Sequence, residues 1–309
     1  MLRVRTAGPL GYCFGVSQAI EKAIKYAEEH GKVYSWGTLA HNEDVVDLLR
    51  RHGVEPIKAE DMGSVSHVAI TAHGAPPELY KRFEDAGLHI LDCTCPIVRK
   101  AQKVVSQQLD GFDIVIFGDR DHQEVIGLNG WAKGAKFVGN FNDLFTPGQD
   151  FKELKLSRKV GIISQTTKIH SQFADFVTTL VNRNIERLNE VRILNTICPI
   201  VAARVNETRK LSQDVDMMFV VGSQESANTK NLADVSRPWV SSQFVYIVQD
   251  TDQIGHALSD WYVENEMAFP RVGVTAGTST PIEVVKEVVN KLKELLYERE
   301  SGDQCQGDE

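Results

Sequence analysis

The sequence contains no run of about 18 apolar residues, the length a helix needs to cross a bilayer. Its first residues, MLRVRTAGPLGYCFGV, lack the apolar core of a secretion signal. These two absences set the expectation of a cytoplasmic protein with no membrane partner. A basic stripe is missing too. Acidic residues number 42 against 34 basic ones, for a net charge of −8. That argues against nucleic acid as the main partner, and an anionic substrate would need local neutralisation. Cysteines are few and odd in number, five in all. Such a set, without a secretion signal, is poor material for a disulfide framework and points to metal or redox chemistry. Cys305 lies in the polar, acidic segment ERESGDQCQGDE, expected to be a disordered tail, and is set aside first.

What is present is a repeat within 309 residues. CPIVRKAQKVV from Cys95 and CPIVAARVNETRKL from Cys198 are near copies, and CFGVSQAIEKAI from Cys13 is a looser third. After each cysteine the apolar residues follow helical spacing: Val16, Ala19, Ile20, Ala23 and Ile24; Ile97, Val98, Ala101, Val104 and Val105; Val201, Val205 and Thr208. Each cysteine is therefore predicted at or just before a helix N-terminus. Pro96 and Pro199 suit the first helical position, where a backbone N–H has no intrahelical partner to lose.

Two further elements recur. KVYSWGTLAHNEDVVDLL, DIVIFGDRDHQEVIGL and MMFVVGSQESANTKNL each read as strand, polar turn and helix, with His41, His122 and Ser226 falling 28, 27 and 28 residues after the three cysteines. HVAITAHGAPPELYKRF, KVGIISQTTKIHSQFADFV and RVGVTAGTSTPIEVVKEVV repeat the pattern, their turns holding His73, then Thr166 and Thr167, then Thr278 and Ser279. Alternating strands and helices imply parallel sheets with crossover helices, which bind ligands beyond the carboxyl ends of the strands. The expected architecture is α/β: three pseudo-threefold-related domains with small, mostly parallel sheets around a central cavity. The boundaries fall at 1–94, 95–194 and 195–297, with 298–309 as the tail.

Three cysteines at equivalent positions are hard to explain as core packing, and a helix N-terminus favours the thiolate that a metal needs. Structural zinc prefers four protein ligands, usually with local pairs. Here the cysteines are remote from one another, and Cys93 with Cys95 is the one close pair. Iron–sulfur clusters take cysteine thiolates, and three of them would leave one iron open to a substrate oxygen. Cys93 stands as a possible fourth ligand, though not the favoured one. Each polar turn residue also has a plain structural reading. His41 or Asn42 can cap a helix, His73 can be a turn residue, and Glu124 can be a first-turn carboxylate. Ser226, Asn228 and Ser279 are ordinary cap and turn types.

The motifs G-Y-C-F-G-V (11–16), H-N (41–42), A-H-G (72–74), D-C-T-C-P (92–96), H-Q-E-V (122–125), S-Q-T-T (164–167), N-T-I-C (195–198), S-A-N-T (226–229) and A-G-T-S-T-P (276–281) stand in the order and spacing of the 4-hydroxy-3-methylbut-2-enyl diphosphate reductase family. The chain resembles that family to about residue 297. The resemblance implies a trefoil of three α/β domains around a 4Fe–4S cluster held by Cys13, Cys95 and Cys198, with one iron open. It implies reductive removal of the allylic hydroxyl, giving isopentenyl and dimethylallyl diphosphates and water, in the methylerythritol phosphate route to isoprenoids. A ferredoxin or flavodoxin is implied as electron donor. His41, His73, Ser226, Asn228 and Ser279 match diphosphate-binding residues, and His122 a residue near the substrate. Glu124 matches the proton-supplying group, and Thr166 the residue that orders the substrate hydroxyl.

Several positions depart from the family pattern. Ser17 or Gln18 stands where a basic residue is usual, Cys93 for Ala, Gln123 for Pro and Glu225 for Asn. Ala227 replaces Ser or Gly, and Pro199 begins a divergent run after Cys198. None removes a cluster ligand; they bear on the substrate surroundings. The competing readings are a related cluster enzyme for another hydroxylated anion, and a non-catalytic cluster or zinc protein such as a redox sensor. A sensor needs no proton relay, so Glu124 with Thr166 separates enzyme from sensor.

Overall fold

A computed structural model describes residues 3–40, 42–57, 64–145, 156–265 and 268–306. In chain order the elements begin with β1 (Val4–Thr6), α1 (Phe14–His30), β2 (Val33–Trp36), α2 (Glu43–Arg51), β3 (Val54–Ile57), β4 (His67–Ile70), α3 (Pro77–Asp85) and β5 (His89–Asp92). Then come α4 (Pro96–Lys103), β6 (Asp113–Phe117), α5 (Gln123–Trp131), β7 (Phe137–Gly139), β8 (Lys159–Ser164), α6 (His170–Asn184) and β9 (Glu190–Ile193). The last group is α7 (Pro199–Ser212), β10 (Met217–Val221), α8 (Ala227–Ser236), β11 (Val245–Val248), α9 (Ile254–Glu264), β12 (Val272–Ala276) and α10 (Ile282–Gln306). Among the described residues no helix is long and apolar enough to cross a membrane.

The strands form three four-stranded sheets, ordered β3-β2-β4-β5, β7-β6-β8-β9 and β11-β10-β12-β1, with every pairing parallel. The middle strands of the second and third sheets read as near-continuous apolar runs, the pattern of strands buried on both faces. β10 and β12 are buried along their whole length, and β6 and β8 are buried but for their first residue. Edge strands β1 and β9 are short and partly exposed, which limits pairing with other chains.

The three sheets share one plan. The last strand of each, β5, β9 or β1, leads directly to a cysteine and its helix. β1 fills in the third sheet the place that β5 and β9 fill in the others. The N-terminal strand, expected with the first repeat, thus completes the third sheet. By compactness the chain divides into two units: Met1–Cys13, Ala40–Val45 and Ile200–Glu309 in one, Phe14–Leu39 and Val46–Pro199 in the other. The first unit holds the β1-containing sheet and the second holds the other two.

Helix α10 continues to Gln306, through the start of the segment expected as a disordered tail. Side chains past residue 297 explain the extension. Glu300 pairs with Arg3, and the Arg299 guanidinium lies over the Tyr262 ring at 3.8 Å. No proline interrupts the helical pattern.

Candidate active site

In two of the repeats a side chain bends the strand end so that it delivers its cysteine. Asp92 Oδ1 accepts from the Thr94 N–H at 2.9 Å, and Asn195 Oδ1 accepts from the Ile197 N–H at 3.1 Å. These are equivalent Asx turns, each opening three residues before a cysteine. Burial by itself would raise the Asp92 pKa. The bonds from Thr94 and the charge and bonds of Arg99 outweigh it, so the carboxyl stays below its usual range.

All three cysteines then anchor alike. Cys95 donates its N–H to Ala72 O at 3.0 Å, Cys198 to Thr166 O at 2.8 Å, and Cys13 to Thr278 O at 2.9 Å. Each acceptor lies two residues past the end of β4, β8 or β12. The residue after each cysteine opens α4, α7 or α1, as expected, and Pro96 and Pro199 take the first helical position. The cysteines are half-buried, and the Cys95 side chain makes no capping bond although the residue is the N-cap of α4. The first turn of α1 comes so close that a Cβ on Gly15 would stand 2.6 Å from Cys95 Sγ, so only glycine fits. Cys93 differs. It is 3% exposed, and burial pushes its thiol up to about 12, so in the metal-free chain it is protonated.

The buried acid belongs to the same unit as Cys95 and Cys198. His122 is the N-cap of α5, and its Nδ1 accepts from the Glu124 N–H at 3.1 Å. Glu124 is 1% exposed. The Thr166 N–H donates to its Oε1 at 2.6 Å and the Thr166 hydroxyl to its Oε2 at 2.8 Å. Burial raises the Glu124 pKa from 4.5 to about 7, with the Thr166 bonds and the charge of Lys168 pulling it back. A carboxyl poised there holds a proton through part of the neutral range, as a general acid must. The His73 and His122 rings meet edge to face at 5.3 Å, and Thr71 Oγ1 lies 3.3 Å from His73 Nδ1.

Lys168 is a participant that sequence reasoning missed. It is buried, and its Nζ donates to Asp119 Oδ1 at 2.7 Å. Asp119 also accepts from Asn140 Nδ2 at 2.9 Å, and its N–H donates to Gln165 Oε1 at 2.9 Å. The network ties the turn after β6 to the turn after β8. A lone lysine beyond S-Q-T-T carries no sequence signal, because its burial exists only once the turns have met.

The other unit holds polar groups of a different kind. Ser226 is the N-cap of α8, its Oγ accepting from the Thr229 N–H at 3.4 Å. Asn228 is 2% exposed, and among the described residues its Oδ1 and Nδ2 have no hydrogen-bond partner. Leaving such a group unbonded costs about 1–3 kcal/mol, a cost that a bound ligand would relieve. Ser279 sits half-buried in the turn between β12 and α10. The N-terminus of α8 adds partial positive charge, the setting in which phosphate groups bind. His41 lies outside the described residues; beside it, Asn42 caps α2 by accepting from the Val45 N–H at 3.1 Å. Capping therefore is a real role of Ser226, His122 and Asn42. It does not exhaust a hydroxyl or an imidazole, each of which keeps a second bonding site.

The departures also find places. Glu225 is exposed and Ala227 is simply the first residue of α8. Gln123 packs its amide against Gly37, a left-handed residue at φ +84° where a Cβ would collide with it. Among the described residues no three His, Cys, Asp or Glu side chains gather tightly enough to hold one metal ion. A cluster asks for a looser set, since each thiolate binds its own iron.

Fold and site together define an α/β enzyme whose repeated strand ends carry cysteines, a protonatable carboxyl and unsatisfied polar donors. The profile of the LytB protein family matches residues 4–293, and the chain belongs to that family. It is 34% identical over 297 residues to a 4-hydroxy-3-methylbut-2-enyl diphosphate reductase of Dehalococcoides mccartyi, covering 95% of this chain and 99% of the relative. It is 32% identical over 309 residues to a protein of the same name from Clostridium acetobutylicum, and spans 45% of that longer protein. A solved structure described as (E)-4-hydroxy-3-methyl-but-2-enyl diphosphate reductase, the terminal enzyme of the non-mevalonate pathway, is similar with a TM-score of 0.64 and 30% identity, covering 94% of this chain and 99% of that one.

Proposed function

We propose that this chain is a 4-hydroxy-3-methylbut-2-enyl diphosphate reductase that replaces the allylic C4 hydroxyl by hydrogen, yielding isopentenyl and dimethylallyl diphosphates. The C–O bond breaks, two electrons and two protons are consumed, and the oxygen leaves as water. The observation that carries the reading is the Thr166 junction: one residue bonds the Glu124 carboxyl through its N–H and hydroxyl, and the Cys198 N–H through its carbonyl. Proton source and cysteine are thereby held by a single turn.

Cys13, Cys95 and Cys198 are the ligands of a 4Fe–4S cluster in this proposal, leaving one iron without a protein ligand. Half-burial, placement before three helices and the glycine cradle at Cys95 Sγ support that fit. When bound, the cluster supplies electrons and a Lewis-acidic iron. Glu124 gives a proton to the departing oxygen, and the Thr166 hydroxyl keeps carboxyl and substrate hydroxyl in register. His122 accepts the Glu124 N–H at Nδ1, which leaves its ring proton on Nε2 for the substrate. His41, His73, Ser226, Asn228 and Ser279 take the diphosphate, with the N-terminus of α8 meeting charge that no lysine or arginine of the motifs meets. A ferredoxin or flavodoxin delivers the electrons.

The test is anaerobic purification followed by turnover of the allylic diphosphate with dithionite and a viologen. Iron- and sulfide-bearing protein that releases both products is the expected result. Protein loaded with zinc, or a cluster protein that leaves the diphosphate untouched, overturns the reading.

A further inference from the structure

Arg204 lies on α7, six residues past Cys198, and is 2% exposed. Its Nη1 donates to Ala276 O at 2.8 Å and to Gly277 O at 3.0 Å, and its Nη2 donates to Gly11 O. These carbonyls belong to two loops. Gly11 stands two residues before Cys13, and Ala276 and Gly277 open the turn that carries Ser279. The loops meet a second time where the Cys13 N–H donates to Thr278 O at 2.9 Å.

A guanidinium does not give up its charge, and burying one is costly. A leucine or methionine would fill the space without that cost. What arginine adds is a rigid fork of donors that no other side chain reproduces. Because a peptide unit is planar, fixing a carbonyl also fixes the N–H of the next residue. The guanidinium thus sets the directions of the Tyr12, Gly277 and Thr278 N–H groups; the Gly277 N–H goes to Val221 O at 2.9 Å.

Resting on the assignment of Cys13 to the cluster and Ser279 to the diphosphate, we infer that Arg204 is a positioning residue of the reductase, holding the Cys13 loop and the Ser279 turn in one fixed mutual geometry. Its action is through backbone carbonyls, and it touches neither substrate nor cluster.

The experiment compares Arg204→Gln and Arg204→Lys with Val205→Ala, a buried control on the same helix. Amide hydrogen exchange of residues 9–14 and 275–281 reads the positioning directly, in protein with or without cluster. Exchange in both segments is expected to quicken about tenfold or more in Arg204→Gln, the loss expected when charged hydrogen bonds go. It should recover partly in Arg204→Lys and stay near wild type in Val205→Ala. In loaded enzyme, KM for the diphosphate rises and the cluster's EPR line shape changes in Arg204→Gln only. Exchange, KM and EPR signature that match those of Val205→Ala overturn the inference. Should the wild type hold no cluster, the functional reading fails separately while the exchange comparison still decides the role of Arg204.

Discussion

Glu124 and Asn228 are both buried polar residues just past the carboxyl ends of parallel strands, 1% and 2% exposed. Both oxygens of Glu124 are bonded by Thr166, whereas among the described residues neither side-chain amide atom of Asn228 finds a partner. In the proposed function the difference follows from what each would do. A group that moves a proton has to be held, and its pKa set, before the substrate arrives. A group that grips an anion keeps its bonding capacity in reserve, and the unliganded fold bears the cost. The surroundings of Glu124 are closed on themselves; those of Asn228 are left incomplete.

The largest effect that sharpens this contrast is at Glu124. Glu124→Gln should lower kcat by about 10²–10⁴-fold, the range for a lost general acid, with iron content unchanged. Wild-type activity in a loaded variant would remove Glu124 from the proton path.

The pH dependence of stability comes next. The Glu124 pKa is raised on folding, so the folded chain binds more protons than the unfolded one between about 4.5 and 7. Stability from this group is fully present below that window and is lost as pH rises through it. The loss is on the order of 3 kcal/mol, from the size of the shift. Thermal unfolding followed across that window should show a decline that flattens in Glu124→Gln. An identical slope in both proteins would mean that Glu124 is not the buried acid described.

Asn228→Leu probes the unbonded amide. Removing an unbonded buried amide should stabilise the unliganded protein by about 1–2 kcal/mol while raising KM for the diphosphate roughly tenfold or more. Glu124→Leu, which strands the Thr166 donors, should destabilise instead. Melting temperatures that shift the same way in both variants would erase the distinction between the two residues.

The smallest effect belongs to Lys168. Its charge lowers the Glu124 pKa, so Lys168→Met should move the alkaline limb of the kcat profile upward by less than about one pH unit. A limb that stays in place or moves down would exclude Lys168 from tuning the acid.

Much of this was legible in the sequence. The three C-x-x-V helices and the strand–turn–helix copies fixed three parallel sheets, because periodicity and repetition are local properties that survive without coordinates. The turns holding His73, His122, Thr166, Ser226 and Ser279 followed from their equivalent places after apolar strands. What stayed hidden depends on contacts between distant segments. That Val4–Thr6 closes the third sheet is invisible in a three-residue strand. Lys168 and Arg204 look like ordinary surface cations until burial places Asp119 beside one and three carbonyls around the other. The helix past residue 297 rests on Arg3 and Tyr262, far away in the chain. Local composition alone read that stretch as disordered.

The central claim is that Cys13, Cys95 and Cys198, and not Cys93, hold the cluster. Its most direct test is the count of iron and acid-labile sulfide per chain after anaerobic reconstitution of the wild type and of the four single Cys→Ser variants. About four of each are expected in the wild type and in Cys93→Ser, as in a 4Fe–4S protein. Sharply lower counts are expected at each of the other three positions. Full counts in Cys13→Ser, Cys95→Ser or Cys198→Ser, or a loss confined to Cys93→Ser, would contradict the account.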